Sequence, residues 1–154
     1  MKEIPLTHGL VALVDDGDFE WLSGYHWFLD GDGYAACNDF RGTRFGGCMH
    51  SQIMRPKKGT ETDHKNGNKL DNQRVNLRGC TSAQNNWNSG IYKNNTSGYK
   101  GVSWHKRDKK WQAKISKHGI IYSLGSFDSP DEAARAYDKA AAEMFGEFAR
   151  INGV

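Results

Sequence analysis

The sequence predicts an α+β chain in which a β-rich amino-terminal region leads into a compact polar segment, followed by a three-stranded antiparallel sheet packed on one helix. Three observations predict this fold. Two aromatic runs flank an Asp/Gly turn between residues 25 and 37. Asp, His and Asn side chains crowd residues 63–85. Apolar and polar residues then alternate in three runs between 98 and 124, ahead of a helix-start signal at Ser129.

Residues 1–48 are predicted to form short strands and turns. The apolar run 10–14 ends at the aspartate-rich stretch 15–18, which favours a turn or a helix cap, because the ligand order of a calcium loop is absent. The segment 25–37 favours a β-hairpin. We expect this region to be a supporting β-layer. A short helix is predicted to follow and to stop at Pro56, with His50 as a packing residue.

The segment 63–85 packs one His, two Asp and five Asn into 23 residues. Hydrophobic burial does not explain that density. Oxygen ligands from Asp and Asn suit Mg²⁺ or Mn²⁺. An imidazole that is not a metal ligand can take up a proton. The segment therefore has the chemistry of a site for a hard metal ion and a phosphate.

A new pattern begins after the polar stretch 89–97, which is predicted to be a linker. Three runs of period two, separated by turns, predict a three-stranded antiparallel sheet with one apolar face. Ser129 as N-cap, Pro130 in the first turn and Glu132 three residues after the cap then predict a helix that ends at Gly146. Its apolar stripe is narrow and mostly alanine, so the helix is expected to lie close to the sheet.

Charge is distributed unevenly along the chain of 154 residues. Residues 1–95 hold 11 basic and 11 acidic side chains, whereas residues 96–118 hold seven basic side chains and one acidic. Such a patch is where a polyanion would bind. No apolar run approaches the roughly 18 residues that span a membrane, and no export signal is evident at the amino terminus. We therefore expect a cytoplasmic protein of one large or two small domains, with its three cysteines reduced.

Asp63-His64, Asn76-Leu77-Arg78 and Asn85 resemble the motif of HNH-type ββα-metal nucleases, in particular the His-Asn-Asn form of phage and bacterial mobile elements. The resemblance covers about residues 49–88. It implies that Asp63 and Asn85 hold Mg²⁺ or Mn²⁺ and that His64 takes a proton from the attacking water. Asn76 would fix the imidazole or the loop so that one ring nitrogen faces that water. The implied products carry a 5′ phosphate and a 3′ hydroxyl.

The carboxyl-terminal region resembles the APETALA2/ethylene-response-factor DNA-binding domain over residues 98–152. The resemblance rests on Tyr99-Lys100-Gly101-Val102, on 110–115, on 124–127 and on 132–138. It implies that the sheet face away from the helix enters the major groove of DNA. The residues expected on that face are Lys100, Ser103, His105, Arg107, Lys114, Ser116 and Ser123. Plant members place several Arg and a Trp there, so DNA binding is expected without the plant base preference.

The predicted organisation is a nuclease domain at 1–88, with a β-rich part at 1–48 and the ββα-metal motif at 49–88, then a linker at 89–97 and the DNA-binding domain at 98–154. The predicted function is that of a metal-dependent, homing-type endonuclease, a monomer acting on double-stranded DNA in a bacterial host or phage-infected cell. Two alternatives stay open. One is a non-catalytic DNA-binding regulator with a vestigial nuclease motif, and the other is a structural or RNA-binding accessory protein.

Overall fold

A computed structural model of the chain describes residues 1–154, which fold as two compact units, Met1–Asn85 and Asn86–Val154. The architecture combines small antiparallel sheets with four α-helices, which confirms the predicted α+β class. The strands are β1 (Lys2–Pro5), β2 (Val11–Val14), β3 (Phe28–Leu29), β4 (Ala35–Ala36), β5 (Glu61–His64), β6 (Leu77–Cys80), β7 (Val102–His105), β8 (Lys110–Lys117) and β9 (Ile120–Phe127). The helices are α1 (Asp16–Leu22), α2 (Met49–Met54), α3 (Ser82–Asn88) and α4 (Pro130–Phe145). None of them is both long and apolar enough to cross a membrane.

The core of the first unit is assembled from short elements that each contribute few apolar residues. β1 pairs antiparallel with β2, and β3 pairs antiparallel with β4, which confirms the hairpin predicted between residues 25 and 37. The buried residues of this core include Ile4, Val14, Leu22, Trp27, Met49 and Leu77. Trp27 Nε1 donates to Leu22 O at 2.8 Å, so the buried indole also satisfies its polar atom.

Strand β2 holds the loop that follows β5. Leu13 N donates to Leu70 O, and Asn72 N donates to Leu13 O, both at 2.8 Å. Arg74 Nε and Nη2 donate to the two carboxylate oxygens of Asp18, each at 2.7 Å. The loop is therefore fixed to the first unit at two separate points. One is the backbone of β2, and the other is the bidentate ion pair between Arg74 and Asp18.

Helix α2 ends where the sequence predicts. Arg55 adopts a left-handed conformation with φ +46°, and Pro56 follows it, so the helix cannot continue. The buried side chains of Met49 and Ile53 belong to the core of the first unit and anchor α2 there. His50 lies on the same helix and is therefore held in place by these two neighbours.

The second unit is a sheet of order β7-β8-β9 that packs one face on α4, as predicted. The buried residues at this contact are Val102, Ala113, Ile115, Ala133, Ala134, Tyr137, Ala141 and Phe145. Three alanines on the helix side allow its backbone to approach the sheet closely. Ser129 caps the helix, since its side chain accepts from Asp131 N at 3.1 Å, and Gly146 follows its last turn.

The amino-terminal end of this unit packs on the same core. Trp87 stacks on Phe145, with ring centroids 4.5 Å apart and an angle of 11° between the rings. Along the chain, the division between the two units falls between Asn85 and Asn86, whereas the sequence analysis predicts a linker at 89–97 between domains at 1–88 and 98–154. The boundaries of the nuclease domain, the linker and the DNA-binding domain remain predictions.

The three cysteines form no disulfide. Cys37 and Cys80 are buried, and Cys48 is half-buried. Burial raises the pKa of the Cys37 and Cys48 thiols, and it raises the pKa of Cys80 to about 11. All three are therefore thiols rather than thiolates at neutral pH.

Gly101 stands where a side chain has no room. Its φ is +75°, and a Cβ at this position would lie 2.1 Å from Tyr137 Cδ2 and 2.8 Å from Lys114 O. We expect Gly101→Ala to destabilise the protein by roughly 2–4 kcal/mol, the sum of left-handed strain and overpacking. Urea unfolding measures this loss. The matched control is Gly98→Ala, because Gly98 has φ +77° but open space around it; equal losses in the two variants would contradict the packing argument.

Candidate active site and nucleic-acid interface

Asp63 and His64 are the last two residues of β5, which pairs antiparallel with β6. The register sets Asp63 opposite Arg78 and His64 opposite Leu77. Arg78 Nε and Nη2 lie 2.8 and 2.7 Å from Asp63 Oδ2. Both side chains are largely buried, so the guanidinium compensates the carboxylate for the water it has lost. This ion pair fixes the orientation of the Asp63 carboxylate.

Asn76 closes the loop between β5 and β6. Its Oδ1 accepts from Asn66 N at 3.0 Å, and its Nδ2 donates to Asp71 O at 2.8 Å. The backbone adds a third contact, from Lys65 N to Asn76 O at 2.9 Å. The side chain is buried, so it joins both arms of the loop from within. Of the two partners that the sequence analysis allowed for Asn76, the imidazole or the loop, the hydrogen bonds reach the loop.

The imidazole of His64 instead meets Asn72. His64 Nε2 lies 3.3 Å from Asn72 Oδ1, and the two side chains are 4% and 0% exposed. Because an amide oxygen only accepts, Nε2 is the donor in this contact. Burial is the main cause that lowers the pKa of His64, so the ring is neutral at pH 7. The sequence analysis missed Asn72, because its residue type alone does not distinguish it from the other asparagines of the loop.

Asn85 is brought to β5 by helix α3. Its Nδ2 donates to Glu61 Oε2 at 2.7 Å, and Ser82 donates its hydroxyl hydrogen to Glu61 Oε1. These two hydrogen bonds lower the pKa of Glu61, and the bond from Ser82 has the larger effect. Glu61 and Asp63 are two residues apart on one strand and share a face of it. Asn85 therefore lies against the strand face that carries Asp63.

The side chains of Asp63 and Asn85 fit a hard divalent cation in chemical type, because carboxylate and amide oxygens are the ligands that Mg²⁺ and Mn²⁺ prefer. The hydrogen bond from Asn85 Nδ2 to Glu61 leaves the amide oxygen on the opposite side of the group. No group of three or more His, Cys, Asp or Glu side chains is arranged to hold a metal. A cation held here would complete its shell with water and substrate oxygens.

His50 is the second imidazole of this region. Its ring stands edge-on to that of His64, with centroids 5.1 Å apart, and lies 4.9 Å from the ring of Tyr34. It is buried, and its Nδ1 has no hydrogen-bond partner. A cavity of about 380 Å³ is lined by His50, Thr62, Glu61 and Asn85 among others. The sequence analysis treated His50 as packing alone, since its contact with His64 depends on how α2 crosses β5.

The open face of the second unit's sheet carries most of the residues predicted to meet DNA. Ser103 pairs with Gln112, Lys114 with Ser123, and Ser116 with Ile121. Lys114, Ser116 and Ser123 are exposed, as is Ser103. Ile121, 70% exposed, is the apolar residue of this face. A register shift after Ala113 makes Leu124 the extra residue of β9, so Ser123 stays on the face of Lys114.

The end of β7 and the turn that follows it hold two more of the predicted residues. His105 Nδ1 lies 3.1 Å from Asp108 Oδ2, and Arg107 Nε lies 3.0 Å from Asp108 Oδ1. The side chain of Arg107 is 86% exposed. Asp108 therefore contacts both side chains at the end of the sheet while leaving the guanidinium of Arg107 largely in solvent.

Lys100 does not lie where the sequence analysis placed it. Its Nζ donates to Trp87 O and to Ser89 O, each at 2.6 Å, and the side chain is half-buried. Burial, and then the nearby charge of Arg150, lowers the pKa of Lys100 to about 8. The long side chain folds back to satisfy two carbonyls, so Lys100 serves the packing of the unit rather than its open face.

Comparison with known families identifies both regions. A family model described as HNH endonuclease matches residues 55–87, and one described as AP2 domain matches residues 97–147. These matches confirm the two family resemblances.

Several curated proteins are similar to this chain. An uncharacterised HNH endonuclease of Acanthamoeba polyphaga mimivirus is 30% identical over 148 residues, which are 95% of this chain and 76% of the relative. Protein 3.8 of Escherichia phage T7 is 37% identical over 94 residues, 61% of this chain and 77% of the relative. An AP2-like ethylene-responsive transcription factor of Arabidopsis thaliana is 42% identical over 59 residues, 38% of this chain and 12% of the relative.

The burial of His50 predicts a dependence of stability on pH. Burial lowers the pKa of His50 from 6.5 to about 4. Below pH 6.5 the unfolded chain binds a proton that the folded chain excludes, so stability falls as the pH falls from 6.5 towards 4. Between pH 7 and pH 5 the wild type should lose about 2 kcal/mol more than His50→Gln does.

Urea unfolding of both proteins at pH 7 and pH 5 measures this difference. The matched control is His26→Gln, because His26 is exposed in the same unit, and it should keep the pH dependence of the wild type. An unchanged pH dependence in His50→Gln would show that the buried imidazole does not cause the loss.

Proposed function

Because the chain belongs to the HNH endonuclease family, we propose that it is a divalent-metal-dependent endonuclease that hydrolyses phosphodiester bonds of double-stranded DNA. The segment β5-β6-α3 is proposed to be its ββα-metal motif. The observation that carries the proposal is the placement of Asn85 against the strand face of Asp63, next to His64 at the end of the same strand. Consecutive acid and imidazole side chains on β5 and an amide from α3 are thus gathered along one strand of four residues.

His64 is proposed to be the general base. Its Nε2 lies against Asn72 Oδ1, and Nδ1 is proposed to be the nitrogen that accepts the proton. A lowered pKa keeps this nitrogen unprotonated at neutral pH, so that it can accept the proton of the attacking water. Asn72 orients the ring, and Asn76 holds the loop that carries Asn72.

Asp63 and Asn85 are proposed to bind Mg²⁺ or Mn²⁺ through their side-chain oxygens. When bound, such a cation stabilises the negative charge that develops on the phosphate and on the leaving 3′ oxygen. Arg78 orients the Asp63 carboxylate from the opposite strand. Cleavage is expected to leave a 5′ phosphate and a 3′ hydroxyl.

The second unit is proposed to bind the duplex through its open sheet face. The residues assigned to this face are Ser103, His105, Arg107, Lys114, Ser116 and Ser123. Lysine at a phosphate acts as a point charge, so these contacts supply affinity and register more than base reading. The nuclease unit then need not bind DNA tightly by itself.

The finer assignment is a homing-type enzyme of a phage or bacterial mobile element, which acts as a monomer in the cytoplasm of the host cell. It is supported by similarity to a protein of phage T7 and to one of Acanthamoeba polyphaga mimivirus.

A second candidate function is that of a DNA-binding regulator without catalysis. It is favoured by similarity to plant transcription factors and by the near-complete burial of His64. Plasmid incubation with Mg²⁺, with Mn²⁺ and with EDTA distinguishes the two, because only the enzyme nicks or cuts in a metal-dependent manner.

Replacing the proposed base should abolish cleavage but not binding. His64→Ala is expected to lower the rate of plasmid cleavage by roughly 10²–10⁴-fold, the usual contribution of a general base. In the wild type, activity should fall only below pH 6.5, because burial lowers the pKa of His64. Cleavage rates as a function of pH and a gel-shift assay measure these effects. His26→Ala is the control, and wild-type cleavage by His64→Ala would remove His64 from the mechanism.

Neutralising one cation of the sheet face should weaken binding in a salt-dependent way. Lys114→Gln is expected to lower the affinity for duplex DNA and to reduce the slope of log K against log salt by about 1. Fluorescence anisotropy over a series of salt concentrations measures both. The exposed Lys139 on α4 provides the control Lys139→Gln, which should match the wild type. An equal effect of the two substitutions would contradict the assignment of this face.

A further inference from the structure

We propose that Glu61 is a positioning residue that sets the orientation of the Asn85 amide and thereby presents Asn85 Oδ1 to the divalent cation. The inference rests on the proposed function, and it assigns a role to a residue outside the family motif. Glu61 and Asn85 belong to different elements, β5 and α3, and are 24 positions apart in the chain.

The orientation follows from the chemistry of the two groups. An amide can rotate by half a turn and exchange its oxygen for its nitrogen at little steric cost. An ionised carboxylate only accepts hydrogen bonds, so the group that faces it must be the NH₂ of the amide. The 2.7 Å contact between Asn85 Nδ2 and Glu61 Oε2 thus selects one of two orientations. In the orientation that it excludes, a donor would stand where a cation needs an oxygen.

Glu61 is itself held in place. Ser82 donates to its second oxygen, Oε1, so both oxygens of the carboxylate are engaged by residues of α3. Glu61 lies on the strand face of Asp63, the other proposed ligand, at a distance of two residues along β5. One carboxylate therefore ties the start of the helix to the strand and fixes the amide between them.

The test measures cation binding rather than activity. Binding of Mn²⁺ is followed by electron paramagnetic resonance on the full chain with a bound duplex, in a His64→Ala background that leaves the DNA intact. Glu61→Ala should weaken Mn²⁺ binding by roughly 10–100-fold, as is usual when the partner of a metal ligand is lost. Glu61→Gln should bind almost as well as the parent protein, because its side-chain oxygen can still accept from Asn85. Glu3→Ala, an exposed carboxylate on β1, is the control.

Reversing the hydrogen bond provides a second test that does not depend on truncation. N85D alone sets two carboxylates against each other and should weaken Mn²⁺ binding. In E61Q/N85D the introduced amide donates to the introduced carboxylate, whose other oxygen serves the cation. The double variant should therefore bind Mn²⁺ at least about tenfold more tightly than N85D does, a coupling typical of residues in direct contact.

The outcomes separate this inference from the function on which it rests. Unchanged Mn²⁺ binding in Glu61→Ala, or no gain in E61Q/N85D over N85D, overturns the positioning role alone. A loss in Glu61→Gln as large as that in Glu61→Ala overturns it as well, because the carboxylate would then be a direct ligand. If the parent protein binds no Mn²⁺ at all, the proposed metal-dependent function fails and takes the inference with it.

Discussion

The two side-chain hydrogen bonds of Asn76 are the constraint on which the candidate site depends. β5 and β6 pair over only four residues each, and the loop between them has few apolar side chains to give it a core. Its shape must therefore come from buried hydrogen bonds. Away from water each of these bonds is stronger, and a polar group without a partner would cost more free energy. Asn76 meets this need because one amide both accepts from Asn66 and donates to Asp71. The path of the loop in turn brings Asn72 to His64.

The elements around this loop act on it from two sides. β2 binds its backbone through Leu13, and the carboxylate of Asp18 binds Arg74. Neither contact touches the residues proposed to do chemistry, yet both define where the loop stands. The β-rich amino-terminal region, which the sequence analysis expects to be a supporting β-layer, thus provides the rigid support that a polar site on short strands requires.

The sequence predicts the second unit well because local patterns determine it. Burial of Val102, Ala113 and Ile115 follows directly from period-two alternation, and the helix start from its cap. In the site, a family motif names the main residues but not their partners. Several asparagines with the same donors and acceptors occupy the loop, and only its three-dimensional path selects Asn72 for His64. Lys100 shows the same limit, because alternation describes backbone direction but not where a flexible side chain ends.

The buried thiols have a practical consequence. Because Cys37 and Cys80 are buried and protonated at neutral pH, we expect them to react slowly with maleimides and with dissolved oxygen, whereas the half-buried Cys48 is more accessible. A cysteine introduced at an exposed position would be modified long before Cys37 and Cys80. Removing the Cys48 thiol alone should therefore be enough before a single fluorophore is attached to an introduced cysteine.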